Sequence, residues 1–175
     1  MSHEAWVGIT LLSVFVTMGV IEAIRPARRF PIMPHWLGIG LATILVLLAI
    51  NALVEVLIPQ EWIRRHALID AGRWGVLESV VLGVLAVSFV DYWFHRAEHR
   101  FGILWRIHQL HHSPDRVDLP GFVYTHPLEV LLLSLQGILV NRFVFSLSPG
   151  AFLIAGACTS FCFMFQHWNV RTPRW

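Results

Sequence analysis

Five of the chain's ten histidines fall within residues 95–112, "HRAEHRFGILWRIHQLHH". His95 and His99 are four apart, so at about 3.6 residues per turn they share a helix face. His108, His111 and His112 are spaced i, i+3, i+4 and share a second face. Phe101-Gly102 separates the two sets, and glycine there loosens or bends a helix. Ser113-Pro114 closes the second set, because proline disfavours helical backbone at the residue before it. The expectation is two short helices that aim five imidazoles at one point.

Five nitrogens exceed what one tetrahedral ion takes; with further histidines they suit two ions. Imidazole binds iron, copper, nickel and zinc. No cysteine lies near, which excludes a thiolate site. The Glu and Glu-x-x-His pairs of carboxylate-rich di-iron bundles are absent. "HRAEH" is not the H-E-x-x-H of zinc proteases, because Glu98 holds its fourth position. Without metal, such a crowd of imidazoles repels on protonation and leaves ring nitrogens poorly satisfied. Glu98 is expected to face solvent or an arginine. Asp91, one turn before His95, is expected either to accept an imidazole N–H or to pair with an arginine.

The elements that position these residues are membrane helices. Of 175 residues, 56% are hydrophobic and 14% charged, and the mean hydropathy is +0.63. An ordinary soluble domain is about 25% charged. Runs at 5–24 and 36–58 reach the roughly 20 apolar residues of a membrane span, and 76–94 nearly does. The runs at 128–144 and 151–165 are shorter, and form either a tight hairpin or two full spans. The first run has no preceding Lys or Arg and no A-x-A-like site after it, so it is expected to be a retained anchor rather than a signal peptide. Trp6, Trp36, Trp74 and Trp93 lie near run ends, where indoles suit the interface. Prolines 31, 34, 59, 114, 120 and 149 fall between the runs. The fold class is therefore all-α: an integral membrane bundle of about four to five hydrophobic helices with a histidine-rich metal-binding cap. Residues 1–75 supply N-terminal spans and 76–175 the histidine region, within a single domain.

All thirteen basic residues are Arg. Arg25, Arg28 and Arg29 in the first loop, Arg96, Arg100, Arg106 and Arg116 in the cap, and Arg171 and Arg174 fall on one side if the last two runs go up and back. Arg64, Arg65, Arg73 and Arg142 fall on the other. Cytoplasmic loops are arginine-rich, which puts the cap in the cytoplasm, at a bacterial inner membrane or an ER-type membrane. No basic run alternates with aromatics, so nucleic-acid binding has no support. Cys158 and Cys162 read as small buried apolar residues. Glu55 and Glu78 lie close enough to span ends to reach the interface, and with Asn51 they are left out of the site. His3, His35 and His66 are assigned no role.

"DYWFHRAEHRFGILWRIHQLHHS" resembles the fatty acid hydroxylase/sterol desaturase superfamily of integral membrane enzymes. The pattern there is an aromatic-rich helix end, His-Arg-x-x-His, Leu-Trp-x-x-His and x-x-His-His, matched here by His95, Arg96, His99, Leu104, Trp105, His108, His111 and His112. "THPLE", with His126, and "FQHWNVRTPRW", with His167 and Asn169, are similar to the same family. The resemblance implies two irons held by His95, His99, His108, His111 and His112, with His126 and His167, and zinc as a possible substitute. It implies O2-dependent hydroxylation or desaturation of a lipid C–H bond (sterol, fatty acyl or related), with electrons from a separate donor protein. The family pattern continues with H-x-x-H-H past the point where this chain stops at Trp175, so the expectation is a truncated or short member. Rival expectations are a non-catalytic relative and a membrane metal-binding or transport protein, the latter calling for polar residues along several spans.

Overall fold

The hydrocarbon of a bilayer offers no partner to backbone N–H and C=O groups, so a crossing segment satisfies them within a helix. A computed structural model describes residues 3–172, and these hold helices and turns with no strand. In chain order they are α1 (His3–Ile24), α2 (Trp36–Leu57), α3 (Gln60–Arg65), a 3-10 turn (Ala71–Arg73), α4 (Val76–Glu98), α5 (Gly102–His108), α6 (Leu119–Phe122), α7 (Pro127–Ile138), a π-helical continuation of α7 (Leu139–Val144) and α8 (Pro149–His167). Five stretches are long and apolar enough to cross a membrane: α1, α2, α4, α7 with its continuation, and α8. The last two runs thus form two helices of 18 and 19 residues, each of spanning length. Both begin with proline, which fits a first turn whose N–H groups need no helical partner. Their caps are His126, whose side chain accepts from Leu128 N, and Ser148, whose hydroxyl accepts from Ala151 N.

Contacts run in the order α1, α8, α4, α7, α2. The α4–α8 crossing is built from small residues. Ser79 and Gly83 of α4 are buried, as are Ala151 and Ala155 of α8. A Cβ on Gly83 would meet Leu147 Cδ1 at 2.7 Å, Asn141 Oδ1 at 3.0 Å and Ala155 Cβ at 3.2 Å. Small residues let membrane helices approach closely, where dispersion replaces the hydrophobic effect as the attraction. The outward faces are apolar and exposed, as at Leu12, Val16, Leu45, Leu85 and Phe89. Cys158 and Cys162 also lie on an exposed face, contrary to the expectation of burial. On a membrane helix, apolar character reports lipid contact as readily as protein contact.

The two ends of the bundle are tied separately. At one end Leu68, Ile69 and Ala71 donate backbone bonds to Phe143, Val144 and Phe145, and Arg142 pairs with Glu55 at 2.8 Å. At the other, the first loop meets the chain after α8: Ala27 N donates to Asn169 O at 2.9 Å and Arg28 N to Asn169 Oδ1 at 3.0 Å. The first loop, the histidine cap and the residues after α8 therefore share one end. Arg174, counted with that end above, lies outside the described residues.

Widening the α4–α8 contact is expected to cost about 1–3 kcal/mol, as overpacking does. Gly83→Leu should lower the thermal midpoint in detergent, while Gly156→Leu, where an added Cβ meets nothing within 4 Å, should leave it nearly unchanged.

Candidate metal centre

Three elements deliver the imidazoles. The end of α4 presents His95 and His99, α5 and the turns after it present His108, His111 and His112, and the end of α8 presents His167. Phe101 is extended (φ −106°, ψ 120°) and breaks α4 from α5, as the Phe-Gly step predicts. The second set departs from the expected single helix. α5 ends at His108, and His111 N and Ser113 N then close tight turns onto His108 O and Leu110 O. Pro114 keeps Ser113 from helical backbone, so no helix resumes directly after these turns.

Ring centroids of His95, His99, His108 and His112 are 4.7 to 6.3 Å apart. One ring nitrogen from each of the four lies within 4.8 Å of the other three. His111 adjoins this group, with centroids 5.6 Å from His108 and 5.3 Å from His112, and faces His167 at 5.1 Å. Six of the seven expected histidines are thus contiguous. His126 is the exception: its Nδ1 accepts from Leu128 N at 3.1 Å, and it makes no ring contact with the other six.

A neutral imidazole has one N–H and one lone pair, and carbonyls here determine which nitrogen carries each. His167 Nδ1 donates to Phe163 O at 2.8 Å and His111 Nδ1 to Tyr124 O at 3.3 Å. Both Nε2 atoms are left with lone pairs, and they stand 3.1 Å apart. His108 Nδ1 donates to Glu129 Oε1 at 2.8 Å, and its Nε2 lies 3.0 Å from His112 Nε2. Two nitrogens that each bond one ion at about 2.1 Å lie roughly 3.0 to 3.4 Å apart, for angles from square to tetrahedral. The donor set fits metal ions, and fits two loci better than one.

Protons are poor substitutes for such ions. Burial, reinforced by the charge of His167, brings the pKa of His111 down from 6.5 to about 4. Burial and neighbouring histidines also lower His99 and His112. His108 goes the other way: burial opposes its charge, but the bond to Glu129 and the charges of Glu129 and Glu98 outweigh burial and raise it.

The carboxylates differ most from expectation. Glu98 is buried, not solvated or paired with arginine, and its Oε2 lies 3.4 Å from His108 Nδ1. Three residues along a helix bring a side chain back to the same face, so its spacing from His95 carried the signal. Glu129, in the first turn of α7, was not foreseen in the site. Asp91 touches neither imidazole nor arginine; Gln136 of α7 donates to it.

Clamps hold the cap on the bundle. Asp118, buried and capping α6, accepts from Gly121 N at 2.9 Å and from Trp36 Nε1 of α2 at 3.1 Å, and pairs with Arg116. Glu22 of α1 accepts from Leu119 N and from Asn169 N, tying the segments after His112 and after His167 to one helix. Trp168 Nε1 donates to Met18 O of the same helix at 2.9 Å.

This membrane bundle with convergent imidazoles has relatives. The fatty acid hydroxylase family model matches residues 80–175, more than half of the chain, and the chain belongs to that family. It is 26% identical to the ornithine lipid hydroxylase OlsE of Rhizobium tropici over 96% of its own length and 54% of that protein's. The chain thus spans about half the length of this curated relative. No solved structure matches it.

The lowered histidines predict the stability of the metal-free protein. Between about 4 and 6.5 the unfolded chain holds protons that folded His111 refuses, so stability rises with pH through that window. It is complete above 6.5 and lost as pH falls toward 4. His99 and His112 act in the same direction. His108 opposes them, its contribution being present at low pH and lost as pH rises through its raised pKa. Thermal unfolding of metal-free protein in detergent should show a falling midpoint on acidification, with a shallower slope in His111→Gln.

Proposed function

We propose that this chain is a membrane-bound di-iron oxidoreductase that uses O2 to hydroxylate a lipid C–H bond. The observation that carries the reading is the pair of Nε2–Nε2 separations, 3.0 Å and 3.1 Å, between rings whose Nδ1 atoms are in three of four cases engaged elsewhere. His95, His99, His108 and His112 would hold one ion, and His111 and His167 would contribute to the second. His126 is the weakest ligand candidate, because capping α7 occupies its Nδ1. Iron is favoured by the family, with zinc as a substitute that fits the same imidazoles.

Bound iron would supply activation of dioxygen toward an unactivated C–H bond, chemistry that side chains lack. The chain's own residues perform orientation and shielding. Phe163 O, Tyr124 O and Glu129 hold three Nδ1–H groups and so aim three lone pairs. Trp105 lies beside His99 and His112, with centroids 5.3 and 5.8 Å away, and Phe122 lies 5.8 Å from His167; both limit water at the rings. Turning a C–H and O2 into a C–OH and water consumes two electrons and two protons, which calls for a separate electron-donor protein. The substrate is a lipid because the cap sits at the mouth of apolar helices, and the relative's name favours one with an ornithine-like head group. The arginine asymmetry supports a cytoplasmic position for this end. Residues 1–175 act as one domain, with 1–75 bracing the histidine region of 76–175.

A transport route would need unpaired polar groups along several spans. Most polar side chains of the spans pair with each other, Asn51 with Ser134, Asp91 Oδ1 with Gln136 and Glu55 with Arg142, and the buried oxygens left over, Asp91 Oδ2, Asn141 Oδ1 and Glu129 Oε2, are few.

Elemental analysis of protein purified in detergent after iron-supplied expression should find about two irons per chain, with most lost in His108→Ala and His111→Ala. Lipid extracts of expressing cells should contain a species one oxygen heavier that both variants lack. Zinc alone, or no metal, would overturn the reading.

A further inference from the structure

Under the four-histidine ring lie two carboxylates from different helices. Glu98 closes α4 and is 3% exposed; Glu129 opens α7 and is 5% exposed. Glu129 Oε1 accepts from His108 Nδ1 at 2.8 Å, while Glu98 Oε2 lies 3.4 Å from the same nitrogen and 3.7 Å from His95 Nδ1. Glu129 Oε2 is buried without a well-formed hydrogen bond, with the Thr125 hydroxyl as its polar neighbour. Among the described residues, no arginine comes within ion-pair distance of either group.

Two buried, closely spaced anions without a cation are costly, because burial removes the water that would stabilise them. One N–H from His108 does not balance two negative charges. Positive charge on the far side of the imidazoles, where the Nε2 atoms converge, would balance them without a second proton on His108. Charge placed beyond a ligating ring also makes that ring a stronger donor.

We propose that Glu98 and Glu129 are positioning residues of the metal centre: a buried anionic floor that holds His108 as its Nδ1–H tautomer, lies against His95, and matches the charge of the ions above. The proposal rests on the metal reading above and adds two carboxylates to it. It gives Glu98 a purpose that a solvated helix-end residue lacks. It also explains why α7, which supplies no histidine to the ring, packs against α5.

The test uses the full chain in detergent, stripped of metal and titrated anaerobically with ferrous iron alone. Glu98→Gln and Glu129→Gln keep size and an acceptor oxygen but remove the charge. Each should weaken ferrous iron binding by about 10–100-fold and raise the midpoint potential of bound iron, since a lost anion disfavours the ferric state. Glu98→Asp and Glu129→Asp should recover most of the affinity. Glu61→Gln, on an exposed side chain at the opposite end, should change nothing. A measurement on unsubstituted protein guards against variants that fail to fold: 15N NMR of the zinc-loaded chain should find His108 with the proton on Nδ1. Wild-type affinity and potential in both glutamine variants, or a proton on Nε2 of His108, would overturn this proposal while leaving the metal reading intact. Failure of the unsubstituted chain to bind any metal would overturn both.

Discussion

Each neutral imidazole brings one donor and one lone pair, and the cap depends on where the donors go. Phe163 O, Tyr124 O and Glu129 take the Nδ1–H groups of His167, His111 and His108. What remains is lone pairs aimed at one another across about 3 Å. Such an arrangement is repulsive unless something positive stands between the rings. Loss of any one acceptor would free a ring to exchange its tautomer, and its nitrogen would then present a proton where a ligand is needed.

The acceptors are precise because the bundle is. Phe163 lies one turn before His167 on α8, so the helix itself supplies that carbonyl. Glu129 comes from α7, and α7 reaches the cap because its apolar stretch starts directly after the His126-Pro127 cap. Tyr124 lies between α6 and α7, in a segment held by Asp118 to Trp36 of α2 and by Glu22 to α1. The first two helices contribute no histidine to the cluster. They contribute the anchors that keep the connecting segments from drifting.

Burial then sharpens the electrostatics. His111 resists protonation, while His108 is pulled the opposite way by the carboxylates beneath it. The same cluster thus disfavours a proton at one ring, through burial, and favours it at another, through the neighbouring carboxylates. Exposed rings at His95, His99 and His112 form the open side, and the buried ring of His108 forms the fixed one. Access and rigidity are thus divided among members of a single ring.

Composition and spacing were sufficient for the helical membrane class, for the break at Phe101-Gly102 and for the histidines of the cluster. Those properties follow from local rules: hydrophobic length, helical periodicity and the backbone demands of glycine and proline. The same rules misjudged Glu98, which a one-dimensional pattern leaves on a helix end and the fold buries against α5 and α7. They also misjudged the cysteines, since apolar character does not tell a lipid-facing side from a protein-facing one. His126 and His167 looked alike in sequence, each at the edge of an apolar run. Their fates separated because α8 ends pointing into the cluster, whereas His126 begins a helix and spends a nitrogen on its first turn. Which nitrogen is free is set locally for His167, by the carbonyl one turn back, but for His111 and His108 by partners 13 and 21 positions away, and no local pattern encodes those.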